Sequence, residues 1–220
     1  VGIAGVSGNG QSELLDALAG LLVPQSGSLQ IGGDTFTPSH WLSPLRPREL
    51  RIAHVPEDRH ERGLVMSFDA WESSVLGYQQ RPRYSAGGWL KPKTMRDDCA
   101  QMMERYDVRP RACDLRSSKF SGGNQQKLVL AREAQSHDRL PRVLLVGQPT
   151  RGVDIGAIEF IHGRLRAMRD LGYGVNPQQY GVYYYPGVGV PYYGGYGYGG
   201  GYNGGYGNYT CINHGKRDGR

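Results

Sequence analysis

The run Gly5-Val6-Ser7-Gly8-Asn9-Gly10-Gln11-Ser12 constrains the fold more than any other stretch, because it matches the phosphate-loop pattern G-x-x-x-x-G-K-[ST] everywhere except the lysine. It also has the context that pattern requires. Val1 to Val6 is small and β-branched, as in a short buried strand, and Glu13 to Leu18 follows with a helical pattern. In such a loop, successive backbone N–H groups point inward at phosphate oxygens, the helix dipole adds to the attraction, and a hydroxyl at Ser12 sits on Mg²⁺. Gln11 offers a neutral N–H where the motif has the cation that reaches the β and γ phosphates. A charge-assisted hydrogen bond contributes roughly 1.5 to 3 kcal/mol, so its loss lowers affinity by about ten- to a hundredfold. Two rival templates do not fit: a dinucleotide fingerprint needs glycine where Glu13 stands, and a nucleophile elbow needs it where Asn9 stands.

The rest of the chain alternates strand and helix signals. Gly20, Pro24 and the Gln25-Ser26-Gly27 turn end the first helix and lead into a strand at Ser28 to Gly33. Leu50 to Val55 is a second strand candidate, stopped by Pro56 and opening into the charged loop Glu57-Asp58-Arg59-His60-Glu61-Arg62-Gly63. Ser67 to Arg116 reads as a mostly helical insert, with Cys99, Met102, Met103 and Tyr106 at helical spacing. Ser121-Gly122-Gly123-Asn124-Gln125-Gln126-Lys127, followed by Leu128 to Glu133, reads as a glycine loop feeding a helix N-terminus. Arg142 to Val146 is a continuous apolar run, which suits a central parallel strand buried on both faces. It closes on Gly147-Gln148-Pro149-Thr150, and Asp154 to Met168 is a further helix.

Composition changes after Asp170. Most of the 15 tyrosines and nearly half of the 34 glycines lie beyond it, so a domain boundary is placed at residue 171, with 172–220 as a low-complexity tail. Ordering a glycine-dense backbone loses more entropy than scattered tyrosines recover by burial, so no packed fold is expected from Tyr173 to Tyr209. Three cysteines with no CxxC spacing argue against a disulfide framework and a zinc site. The net charge of +6 permits an acidic partner, yet no Lys/Arg run is dense enough to read as a specific nucleic-acid stripe. No apolar stretch approaches the roughly 18 residues of a membrane span.

The glycine loop at Ser121 to Gln125 closely resembles the signature loop of ABC transporter nucleotide-binding domains, and Gln126-Lys127 with the helix after it extends the match. With the order of the other motifs, Val1 to about Leu171 resembles the second, C-terminal nucleotide-binding domain of the tandem ATPases that drive sugar and nucleoside importers. The Gln148-Pro149-Thr150 variant leans towards the nucleoside branch. The resemblance implies an α/β P-loop NTPase fold with a helical subdomain over about 67–133, a cytoplasmic location on the inner face of the membrane, and ATP with Mg²⁺ as ligands. Its partners would be another nucleotide-binding domain, paired head to tail, and transmembrane permease subunits.

By the same resemblance, Gly5, Ser7, Gly8, Asn9, Gly10, Gln11 and Ser12 face nucleotide, with Ser12 on the metal. Ser121, Gly122, Gly123 and Gln125 form the signature loop, whose target is the γ-phosphate held by the partner domain. Asp154, within Arg151-Gly152-Val153-Asp154, falls in the D-loop; a plain helix N-cap is its simpler reading. Gly147 and Gln148 stand where the family has the magnesium-orienting aspartate and the water-polarising glutamate, and Glu57 stands at the Gln-loop position. A glutamine amide orients a water but does not take its proton, so weak or absent Mg²⁺ binding and no hydrolysis are expected at the domain's own site. The preceding strands and the strand with the switch histidine are not recognised, and the chain reads as cut off at its front. The competing expectation from another class is an interaction protein, in which the Gly/Tyr tail self-associates or contacts RNA.

Overall fold

The computed structural model describes residues 2–3, 8–31, 33–135, 141–170 and 182–184. In chain order the first half holds β1 (Gly2–Ile3), α1 (Gln11–Leu18), β2 (Leu29–Ile31), β3 (Asp34–Phe36), α2 (Arg46–Glu49) and β4 (Ile52–Val55). A π-helical turn at Arg59–Gly63 follows, then α3 (Ala70–Ser73), β5 (Ser85–Ala86), β6 (Trp89–Leu90) and α4 (Pro92–Arg105). The second half has a 3-10 turn at Ser117–Lys119, then α5 (Gly122–Gln135), β7 (Val143–Val146), α6 (Ile155–Asp170) and β8 (Val182–Tyr184).

The central sheet has the order β1-β8-β7-β4 with every pair parallel. Its alternation divides the core. Leu144 and Val146 of β7, with Ala53 and Val55 of β4, pack against Leu128, Val129 and Ala131 of α5 and Ile161 of α6. Val143, Leu145 and Ile52 point the other way, onto Leu15 of α1 and Ala19 just beyond it. All four β7 residues are buried, as the unbroken apolar run predicts. Each such side chain contributes roughly 1.5 to 3 kcal/mol over leaving it in water. Helices on both faces of a parallel sheet bring the C-terminal ends of β4 and β7 to one edge, next to the start of α1.

The middle of the chain is helical through α3, α4 and α5, with the β5–β6 hairpin set between α3 and α4. Met95, Cys99, Met102 and Met103 are the buried stripe of α4, at the spacing read from the sequence. A buried polar group ties this part to the sheet. Arg132 pairs with Glu133 at 2.8 Å, and its guanidinium also donates to the carbonyls of Gly63 at 2.7 Å and Ser73 at 3.2 Å. Glu133 accepts the Tyr78 hydroxyl at 2.7 Å and the His54 backbone N–H at 3.4 Å. Burial opposes the Glu133 charge, but Arg132 and the Tyr78 hydroxyl overcome it and hold the carboxyl below its ordinary range.

Within 172–220, Val182–Tyr184 forms the three-residue strand β8 between β1 and β7. The rest of 172–220 lies outside the described residues.

Candidate functional site

The described part of the glycine turn, Gly8 to Gly10, runs straight into α1. Gly8 and Gly10 have φ of 89° and 91°, a region open to glycine at little cost, and Gly10 is the N-cap of α1. Among the described residues nothing lies within 4 Å of a Cβ placed on either, which leaves room there for an anion to approach these N–H groups. Asn9 and Ser12 are exposed and Gln11 is buried. Gly5 and Ser7 lie outside the described residues.

The strand ends supply the other wall. Gly147 N–H donates to the Val55 carbonyl at 2.9 Å, extending the β4–β7 ladder, so residues 57 and 147 leave the sheet side by side. The Ser12 hydroxyl donates to Glu57 Oε2 at 2.7 Å. Gln148 sits at φ 37°, in the left-handed region that a non-glycine residue enters only when its surroundings hold it there. Ser12, Asp16, His54, Glu57, Arg62 and Arg151 line a cavity of about 250 Å³. Arg62 pairs with Asp16 across its mouth.

Whether these residues fit Mg²⁺ is a question of donor chemistry. Among the described residues no group of three His, Cys, Asp or Glu side chains could hold a metal unaided. Magnesium in nucleotide sites takes one or two protein oxygens and completes its shell with phosphates and water, and Ser12 with Glu57 supplies that kind of set. The oxygens present fit the ion.

The signature loop is rigidly seated. Ser121 is exposed ahead of α5, and its Oγ accepts from Asn124 Nδ2 at 2.9 Å, leaving the hydroxyl proton for an outside acceptor. A Cβ on Gly122 would stand 2.6 Å from the Gly152 carbonyl, and one on Gly123 would stand 2.6 Å from Asp154 Oδ2. These glycines therefore allow the loop to pack against the 152–154 segment of its own chain. Asp154 accepts the Ala157 N–H at 2.9 Å and so caps α6, its simpler reading. Gln125 is buried: its amide donates to the Ser117 carbonyl at 3.0 Å and accepts from Arg59 Nε at 3.2 Å. It ties the loop to its surroundings.

Sequence reasoning missed Arg59. Its guanidinium donates to the Arg151 carbonyl at 2.7 Å and the Gly152 carbonyl at 3.2 Å while also holding Gln125, so one side chain joins the charged loop, the signature helix and the turn before α6. The signal available was its place in the Glu57-to-Gly63 loop, but nothing in that loop's pattern says which cation turns inward.

A family model described as ABC transporter matches residues 1–151. The chain is 42% identical over 172 residues to a nucleoside import ATP-binding protein of Lactococcus lactis, covering 78% of this chain and 33% of that protein. A guanosine import ATP-binding protein of Bacillus subtilis is also 42% identical, over 78% of this chain and 32% of that protein. The chain thus spans about a third of the length of these curated relatives. A solved dimeric ATP-binding cassette bound to ADP and phosphate shares the fold, with a TM-score of 0.64 at 20% identity, covering 83% of this chain and 72% of that one.

Proposed function

Because the chain belongs to the ABC transporter family, we propose that it is an ATP-binding domain of an importer for nucleosides or simple sugars, of the C-terminal kind in tandem ATPases. On this reading residues 1–171 form the nucleotide-binding domain, and the domain pairs head to tail with another and docks on permease subunits at the inner face of the membrane. Among the described residues no helix is long and apolar enough to cross a membrane. Its own nucleotide lies over Gly8 to Ser12, on N–H groups at the start of α1. With Gln11 in place of the phosphate-loop cation, Gly147 in place of the aspartate and Gln148 in place of the glutamate, that site holds ATP weakly and does not hydrolyse it.

The observation that carries the proposal is the signature loop. An exposed hydroxyl at Ser121 and the first N–H groups of α5 form an anion site that needs no cation of its own, and Gly122 and Gly123 hold it in place. Bound Mg²⁺ would neutralise phosphate charge, and Ser12 with Glu57 would hold its shell. The test is equilibrium binding of ATP to the full chain in Mg²⁺, alongside steady-state hydrolysis. Saturable binding with turnover at background is the expected pair of results. No binding, or turnover that Ser12→Ala abolishes, contradicts the proposal.

A further inference from the structure

We propose that the β5–β6 hairpin is a membrane-surface contact, in which Trp89 and Leu90 enter the headgroup region of a bilayer and the lysines beside them hold anionic phospholipid. The inference goes beyond the importer reading, which supplies only the surface concerned, the anionic inner face of the membrane.

The hairpin is anchored at its base and bare at its tip. Tyr84 and Met95 are buried with Val75 and Tyr78 in a small cluster of their own, and the Lys91 N–H donates to the Tyr84 carbonyl at 2.8 Å, closing the two arms. Past this base, residues 86–93 are all exposed. Successive strand residues point to opposite faces, so a hairpin that served the core would bury one of Trp89 and Leu90. Here Trp89 is 82% exposed and Leu90 50%. Gly87 and Gly88 make the turn with φ of 56° and 86°, and among the described residues nothing lies within 4 Å of a Cβ placed on either, so the tip projects clear of its neighbours.

Charge decides what the tip meets. Between Glu72 and Asp97 the sequence holds five cations, Arg81, Arg83, Lys91, Lys93 and Arg96, and no carboxylate. Three of them are engaged: Asp98 takes Arg83 through two hydrogen bonds at 2.5 and 2.6 Å, Asp114 takes Arg96 at 2.8 Å, and Arg81 lies 4.7 Å from the centre of the Tyr78 ring. Lys91 Nζ donates to the Pro82 carbonyl at 2.8 Å, and among the described residues no carboxylate pairs with Lys91 or Lys93. Counting Asp97, Asp98 and Asp114 against the five leaves this side of the molecule cationic. A tryptophan ring has an apolar body and a polar N–H, the combination that collects at membrane interfaces, and adjacent lysines draw it to anionic lipid. A projecting tip also suits a fluid surface, which closes round it, whereas a folded partner would have to carry a matching pocket.

The experiment is sedimentation of the full chain with vesicles of phosphatidylcholine alone and of phosphatidylcholine with phosphatidylglycerol in equal parts. The native chain partitions onto the anionic vesicles at least about tenfold more strongly than onto the neutral ones, and loses that preference in high salt. Trp89→Ala weakens anionic binding by at least about fivefold, and Lys91→Glu with Lys93→Glu by at least about tenfold. Thermal midpoints stay unchanged, because all three side chains are exposed. Phosphatidylglycerol with brominated chains reports where the tip goes: it quenches part of the tryptophan emission of the native chain and leaves that of Trp89→Ala unchanged. No preference for anionic vesicles overturns the proposal and points to an acidic protein surface as the partner of the tip. Binding that either variant keeps at native strength also overturns it, because another part of this basic chain then meets the lipid. Nucleotide enters none of these readouts, so their failure leaves the ATP-binding reading standing.

Discussion

Gly123 admits no side chain, since a Cβ there would stand 2.6 Å from Asp154 Oδ2 and 2.7 Å from Ala157 Cβ. Overpacking of this kind costs about 1 to 3 kcal/mol, so Gly123→Ala is expected to lower the urea midpoint even with no nucleotide present. An unchanged midpoint would show that the loop is not seated against α6. A larger loss is expected from Arg132→Ala, which leaves Glu133 charged and buried with its guanidinium partner gone; removing one member of such a pair costs about 3 to 5 kcal/mol. Urea titration checks this too, and a cost within about 1 kcal/mol would mean that Glu133 is neutral in the fold. At this scale the sequence was legible wherever a residue type is forced by backbone geometry, as at Gly8, Gly10 and the signature glycines. What it did not show is what Glu57 and Arg59 bind. Their partners, Ser12 and Gln125, lie 45 and 66 residues away along the chain, and only the sheet register brings them together.

Elements carry their own expectations. α6 starts on Asp154, whose carboxylate accepts the Ala157 N–H, so Asp154→Ala costs about 1 kcal/mol of stability, and Asp154→Asn or Asp154→Ser much less. Equal losses from all three would assign the aspartate some other role. β4 brings a pH dependence. Burial holds the His54 imidazole below its ordinary 6.5, against the opposing pull of the Glu133 and Asp16 carboxylates, with Arg62 and Arg132 reinforcing burial. The folded state therefore resists a proton that the unfolded chain accepts near that value. The stability involved is complete above about pH 6.5 and is lost as pH falls below it. Urea midpoints from about pH 7.5 to about pH 5.5 should drop less in His54→Gln than in the native chain; parallel curves would contradict the assignment. The apolar run of β7, the methionine stripe of α4 and the stop at Pro56 were readable because each follows from local pattern. The β5–β6 hairpin is only two residues a side and turns on Gly87 and Gly88, too short to show a period. β8 was hidden for a different reason: its place depends on the gap between β1 and β7, which no local window contains.

On the proposed reading the whole molecule is one half of a head-to-tail pair: Gln11 and Gln148 stand where the family has a lysine and a glutamate, while Ser121 is exposed ahead of α5. Two sites built from opposite halves of a head-to-tail pair would then differ, and the two ends of this chain would matter unequally for turnover. Gly122 is a poor probe of this idea, since any side chain there collides with the Gly152 carbonyl in the same chain. Ser121 is the better one, being exposed and, among the described residues, bound through its hydroxyl to Asn124. The deciding measurement is ATP hydrolysis by this chain paired with a nucleotide-binding domain that has a complete phosphate loop, comparing Ser121→Arg with Gln11→Ala. The account predicts that Ser121→Arg lowers turnover at the partner's site by at least about tenfold, the loss expected for one charge-assisted contact to the γ-phosphate, while Gln11→Ala changes it by less than about twofold. Equal effects from the two substitutions, or the reverse order, would contradict it.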